Sequence, residues 1–359
     1  MRICFVLPGP SRHPIGGYKV VYQYANLFAR RGEDVTIVHA ALHQGGMWGR
    51  GRDARTVYGF ARGVVARSRP TWYSLDAPVR SRVVGFARPR TIPPAEVVVA
   101  TSVRTAPLVA QVAAMRGVAG AYFIQGLESW DAPTHVLEDT WRLPLAKVVI
   151  APWLADVGET LGVDTTVVSN AIDLDRFVEG PAIDERPHAV LALVSDQAIK
   201  RTDLVAKVYD VLARDHPSVE LLTFGTCARP ACLPGSVRHV QGPAPDELAA
   251  MYHRARVYLC TSDHEGWGLP PAEAMACGAA VVSTEIGGVM AYAQGVAAFA
   301  PPGDWTGLAE HVVRLLGDAR ACAAVAERGT ERIRSRSLED AADELLSALR
   351  RALRTPTDA

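Results

Sequence analysis

The chain has 359 residues, 49% of them hydrophobic, with 38 basic and 38 acidic side chains. That length and apolar content suit two buried cores rather than one. No apolar run reaches the length of a membrane span, and no nucleic-acid-binding motif accompanies the charge.

Short apolar runs of strand length alternate with amphipathic runs almost throughout, the pattern of βαβ units on a parallel sheet. In the first half, strands are expected at 3–7, 35–39, 97–101, 121–124 and 148–151. Helical periodicity covers about 17–31 and 106–115. The Arg-rich stretch 44–93 has poor periodicity and many Gly and Pro, so long loops are expected there. In the second half, strands are expected at 190–194, 220–224, 257–260, 281–284 and 297–299. Helices are expected at about 201–215, 246–254, 270–277 and 305–317, with a final one at about 338–354. Two successive α/β blocks of similar size imply two Rossmann-like domains with a ligand cleft between them.

Charge is divided unevenly between these blocks. Residues 1–160 carry 19 Lys and Arg against 11 Asp and Glu, and the rest of the chain reverses that balance. Ten Arg fall between Arg50 and Arg90, facing only Asp53 and Asp76. A basic half can meet an anionic acceptor or a lipid-phosphate surface, or can simply attract the acidic half. The six cysteines are scattered, and Cys227 and Cys232 have no His or Cys partners at zinc spacing. Free thiols in a reducing cytosol, and no metal site, are therefore expected.

The densest chemistry lies at residues 263–278, Asp-His-Glu-Gly-Trp-Gly-Leu-Pro-Pro-Ala-Glu-Ala-Met-Ala-Cys-Gly. A strand ends at Cys260, Glu265 sits on a glycine-rich turn, and Glu273 falls inside a helix opened by Pro270 and Pro271. Gly278 suits a left-handed helix stop. Unpaired N–H groups at the helix start favour phosphate, while two carboxylates accept sugar hydroxyls.

This stretch resembles the Glu-x7-Glu motif of retaining glycosyltransferases of family 4, which have the two-domain GT-B fold. The resemblance implies that Glu265 lies near the donor sugar and that Glu273 holds the ribose. It also places main-chain N–H groups of Gly266, Trp267, Gly268 and Leu269 against the sugar or phosphates. Residues 167–177 resemble the family's hinge signature, with Ala171 replacing the usual Gly. Asp173 and Asp175 are read there as turn residues rather than as a metal pair. The expected domains are 1–168, an acceptor-side Rossmann-like domain, and 169–337, which binds the nucleotide sugar; a helix at 338–359 is expected to pack back on the first.

The remaining candidates follow the same resemblance. Gly16 and Gly17 open a helix after the first strand, and a Gly-Gly pair lets main-chain N–H groups approach a diphosphate closely. Lys200 and Arg201 are the expected diphosphate cations, with Ser195 standing where the family usually has an Arg. Gln125 and Glu128 look like the Gln-x-x-Glu stretch of a rhamnosyltransferase-like branch, and with His13 and Tyr18 are assigned to the acceptor side. Neither His13 nor His264 is expected to act as a general base.

The resulting expectation is a cytoplasmic, retaining glycosyltransferase with a nucleotide-diphosphate sugar as donor and no cofactor or metal. Its acceptor would be a hydroxyl group on a glycan, lipid-linked glycan or natural product. The Arg-rich segment adds the expectation of an anionic acceptor or of peripheral contact at the inner membrane face. A GT-B sugar-nucleotide epimerase, or a nucleotide-sugar-binding relative without turnover, are the alternatives at this stage.

Overall fold

The computed structural model describes residues 1–43 and 69–354. Its two compact units are Met1–Asn170 together with the chain from Glu339, and Ala171–Leu338. Each is built on its own sheet, and every strand pairing in both sheets is parallel.

The first sheet holds β1 (Arg2–Pro8), β2 (Asp34–His43), β3 (Arg80–Ala87), β4 (Val97–Ala100), β5 (Ala119–Ile124), β6 (Ala146–Val149) and β7 (Thr165–Val167). Their order is β3-β2-β1-β4-β5-β6-β7. The connecting helices are α1 (Gly16–Arg30), α2 (Ala106–Arg116), α3 (Thr134–Trp141) and α4 (Pro152–Thr160). In β1, Ile3 to Leu7 are all buried, and β4 is buried along its whole length. Strands covered by helices on both faces lose the alternation of polar and apolar residues, which is why they read as continuous apolar runs. Val20 to Ala29 of α1 are likewise all buried, so this helix lies inside the unit instead of on its surface. Its Asn26 is buried with them, and its amide bonds Ser74 O (3.0 Å) and Asp76 N (2.9 Å), tying the 74–76 segment to the helix.

The second sheet holds β8 (Ala189–Leu193), β9 (Glu220–Gly225), β10 (Arg238–Gln241), β11 (Val257–Cys260), β12 (Ala280–Thr284) and β13 (Ala298–Ala300). Their order is β10-β9-β8-β11-β12-β13. The helices are α5 (Thr202–Asp215), α6 (Pro245–Arg254), α7 (Leu269–Ala276), α8 (Gly287–Ala293), α9 (Trp305–Gly317) and α10 (Ala319–Arg334). The last helix, α11 (Leu338–Arg354), belongs to the first unit from Glu339 onward. There Asp343 pairs with Arg31 (3.1 Å) and Arg350 with the buried Glu33 (2.6 Å).

Both sheets reverse their strand order beside the first strand of the unit, β1 in one and β8 in the other. Ligands of such sheets bind outside the carboxyl ends of the strands at this reversal. The loops leaving β1, β8 and β11 carry most of the candidate residues.

All ten expected strands are present, within two residues of the expected ends except that β2 runs four residues further, to His43. The stretch 44–93, where long loops were expected, also contains β3; residues 44–68 of it lie outside the described residues. β7 and β10, and helices α3, α4, α8 and α10, were also not expected. Among the described residues, no helix is long and apolar enough to cross a membrane.

Candidate active site

In the second unit, two loops at the switch point are bound to each other. The chain leaving β8 turns at Ser195, whose N–H donates to Thr202 Oγ1 (3.0 Å) while the Thr202 hydroxyl donates back to Ser195 O (2.9 Å). Gln197 N–H donates to Ser195 Oγ (3.2 Å). From the other side, the Thr261 hydroxyl reaches the carbonyls of Lys200 (3.0 Å) and Arg201 (3.1 Å), and Asp263 N–H donates to Ile199 O (2.8 Å). The loop after β11 thus fixes where Lys200 and Arg201 start.

Lys200 and Glu265 meet as an ion pair, Nζ to Oε1 at 2.6 Å, with side chains 17% and 11% exposed. The Ser262 hydroxyl donates to the same carboxylate oxygen at 2.8 Å. This little exposure makes the pair stronger than a surface contact, and each charge would be costly to leave alone. Arg201 is placed differently. Its guanidinium donates to Asp203 (3.0 Å) and Asp263 (3.1 Å), and the hydrogen bonds it gives Asp203 first hold its pKa above the ordinary value. Its backbone is left-handed, at φ 49°.

The turn that follows Glu265 is shaped by packing. Trp267 is buried against Tyr292, with ring centroids 4.5 Å apart, and the Tyr292 hydroxyl donates to Gly268 O (2.8 Å). Gly268, at φ 88°, occupies backbone space that a side chain would strain, and it caps α7 without a side-chain hydrogen bond. Leu269, Pro270 and Pro271 start the helix, and the two prolines bring no N–H to its first turn. The main-chain amides of this turn belong to Gly266, Trp267, Gly268 and Leu269. Glu273 is 4% exposed, and its Oε2 accepts the Tyr252 hydroxyl at 3.0 Å. Burial, and next the negative charge of Glu273, push the Tyr252 phenol well above its ordinary pKa.

The first-unit candidates gather around the loop leaving β1. Gly16 and Gly17 form the first residues of α1, whose preceding Ile15 offers no side-chain cap. Gln125 Nε2 donates to Gly17 O (3.1 Å), and a Cβ at Gly17 would sit 3.3 Å from that amide. The Tyr18 hydroxyl donates to the carbonyls of Pro8 and Gly9, the latter at 3.0 Å. Burial, then the charge of Glu128, raises the Tyr18 pKa. His39 Nδ1 lies 3.2 Å from Gly9 O, and burial lowers its pKa to about 4, so this ring is neutral at pH 7. His13 is exposed in a turn closed by its own N–H on Ser11 Oγ (3.2 Å).

Glu128 stands apart from a simple surface residue. Its backbone is left-handed, at φ 51°, and its Oε2 accepts Val103 N–H at 2.6 Å. Desolvation raises its pKa to about 7, opposed by the Val103 and Ser102 hydrogen bonds and raised further by Asp131. Part of the residue is still exposed, so water tempers that rise. The neighbouring Arg104 is paired with Asp131.

The structure therefore brings Ser195, Lys200, Arg201 and Glu265 together in the second unit, and Gly17, Tyr18 and Gln125 together in the first. Sequence reasoning missed Thr261, Ser262, Asp263 and Tyr252, which hold the recognised residues in place. A Thr-Ser-Asp run directly after a buried strand was the available signal, because polar groups at a strand's carboxyl end face the switch point. Among the described residues, no group of three or more His, Cys, Asp or Glu is placed to hold a metal ion.

Fold and site together define a class, the GT-B glycosyltransferases, which this chain resembles. Residues 189–318 match the family model Glycosyl transferases group 1, a span that contains Lys200, Glu265 and Glu273. The chain is similar to the D-inositol 3-phosphate glycosyltransferase of Rhodococcus jostii, 33% identical over 215 residues, covering 52% of this chain and 47% of that protein. It spans less than half the length of each curated relative it matches. Among solved structures, sucrose-phosphate synthase from Thermosynechococcus elongatus has TM-score 0.73 at 16% identity, covering 98% of both chains. Anabaena HepE in complex with UDP and glucose has TM-score 0.71 at 14% identity, covering 98% of this chain and all of that one, 100%. At those identities the structures establish the fold alone.

Proposed function

We propose that the chain is a glycosyltransferase that moves a sugar from a nucleotide-diphosphate sugar to a hydroxyl acceptor with retention of configuration. The observation that carries this reading is the Lys200–Glu265 pair at the switch point of the second sheet, inside the segment that matches Glycosyl transferases group 1. An ammonium has three N–H donors, and only one is spent on Glu265, so Lys200 has two for a phosphate. Such charge-assisted contacts are about twice as strong as neutral ones. Glu265, an acceptor only when ionised, suits the hydroxyls of a sugar. Glu273 is assigned to the ribose, and the amides of residues 266–269 to the sugar or phosphates.

In the proposed reaction, the bond from the anomeric carbon to the diphosphate oxygen breaks as the acceptor oxygen bonds to the same face of that carbon. The acceptor's proton passes to the departing diphosphate. The protein supplies position and charge: Lys200 offsets the negative charge that grows on the leaving oxygen, where preorganised groups are worth most. No resident metal or cofactor is asked of the protein. Arg201, held by two carboxylates, is assigned to shaping the turn, and Ser195 to closing it. In the first unit, Gly16 and Gly17 are proposed as phosphate-facing amides, and His13, Tyr18, Gln125 and Glu128 as acceptor-side residues. HepE was solved with UDP-glucose, which supports a nucleotide-sugar donor here. A glycan, lipid-linked glycan or natural product is the proposed acceptor, and an anionic acceptor or lipid-phosphate surface the proposed partner of the Arg-rich segment.

Glu265→Gln tests the reading. It keeps the side chain's shape while removing its charge, so turnover should fall by about a hundredfold with little change in nucleotide affinity. Unchanged turnover would remove Glu265 from the reaction.

A further inference from the structure

The two oxygens of Glu265 are in different circumstances. Oε1 receives both the Lys200 ammonium (2.6 Å) and the Ser262 hydroxyl (2.8 Å), whereas Oε2 has no hydrogen-bond partner among the described residues. Ser262 is itself fixed from behind. It is 4% exposed, its carbonyl accepts the hydroxyl of the fully buried Thr284 at 2.5 Å, and the Cys260 thiol lies 3.8 Å from its Oγ. Thr284 ends β12 and Cys260 ends β11, strands paired in register from Val257 with Ala280 to Cys260 with Ser283. The sheet therefore fixes Ser262 at its carbonyl, through the Thr284 hydroxyl, and fixes Lys200 at its carbonyl, through the Thr261 hydroxyl.

We infer that Ser262 is a positioning residue that pins one oxygen of Glu265 and thereby turns the other toward the donor sugar. This inference rests on the functional reading above. A carboxylate held by Lys200 alone can rotate about its last bond and exchange its oxygens, because that terminal torsion is broad. A second donor on the same oxygen, set at an angle fixed by the sheet, removes that freedom. Oε2 then keeps its lone pairs for one sugar hydroxyl, in one direction. Lys200 brings charge and Ser262 brings orientation.

The inference separates Ser262 from a residue that merely fills the core. Losing the hydroxyl should leave the nucleotide and phosphate contacts intact and disturb the step in which the sugar must be aligned. In kinetic terms kcat falls and KM stays.

Two measurements test this, one needing no ligand. In a crystal structure of Ser262→Ala, the Glu265 carboxylate should rotate or adopt more than one rotamer; a carboxylate in its native place, held by Lys200 alone, would overturn the inference. In steady-state kinetics with whichever UDP-, GDP-, ADP- or dTDP-sugar the native protein consumes, Ser262→Ala should lower kcat ten- to a hundredfold with KM within threefold. Ser262→Thr, which keeps the hydroxyl, should recover most of that loss. Equal losses in nucleotide binding and turnover would assign Ser262 to structure and overturn the inference, as would an unchanged kcat. If the native protein consumes none of these donors, the glycosyltransferase reading fails on its own, and the crystal structure still decides the role of Ser262.

Discussion

Glu128 and Arg201 are the two non-glycine residues, among those described, with a left-handed backbone. For an L residue that conformation costs about 1–2 kcal/mol, and it persists where surroundings over-determine it. Arg201 is held at its side chain by two aspartates and at its carbonyl by Thr261; Glu128 is held by the Val103 N–H. Both were candidates through the family resemblance of the segments that carry them, but their backbone state was not legible, since no Gly or Asn marks it. Glu128 carries a pH consequence. Burial raises its pKa from the ordinary 4.5 to about 7, so across that interval the folded protein holds a proton that the unfolded chain releases. Its contribution to stability is complete below about pH 4.5 and is lost as pH rises through about 7. Unfolding midpoints of the native protein should therefore fall relative to those of Glu128→Gln over that interval. Parallel profiles would mean that Glu128 is not held in this state.

At the scale of elements, what could be read was what is buried on both faces. The interior strands β1, β4, β8, β11 and β12 appear in the sequence as unbroken apolar runs. β3, β7 and β10 are all at sheet edges and have exposed or half-exposed residues along most of their length, so no such run announces them. Helix α10 contains Gly329, a residue that disfavours a helix interior. A Cβ there would lie 2.9 Å from Met275 Cγ, so the glycine serves close packing on α7. Gly288, at the start of α8, is tighter still: its Cβ would fall 2.4 Å from the Glu265 carbonyl oxygen and 3.0 Å from Trp267 N. Because backbone rather than a flexible side chain is in the way, Gly288→Ala should displace the loop that carries Glu265. The expected cost is about 1–3 kcal/mol of stability, read by urea unfolding, together with a clear loss of turnover. Native stability and turnover in that variant would contradict the close approach.

At the scale of the whole molecule, alternation of strands and helices was enough to read two Rossmann-like units. The candidate site could be proposed from one local strand–turn–helix segment, because Glu265, Glu273 and the Gly and Pro residues between them together resemble a family motif. Thr261 and Ser262 left only the signal of a polar run after a buried strand, and Tyr252 left none, since its contact with Glu273 and that of Thr261 with Lys200 are made between separate elements. Base, sugar and acceptor are decided by the shape of loops, which a single sequence does not reveal. The central claim is that the second unit binds a nucleoside diphosphate through Lys200. Thermal unfolding of the native protein and of Lys200→Ala, each with UDP, GDP, ADP and dTDP and with their sugar conjugates, tests it most directly. At a hundred times its dissociation constant a true ligand adds about 2.7 kcal/mol of stability. The account predicts that at least one of these nucleotides raises the native midpoint and that Lys200→Ala loses most of the rise. No response from the native protein, or an equal response from both, would contradict it.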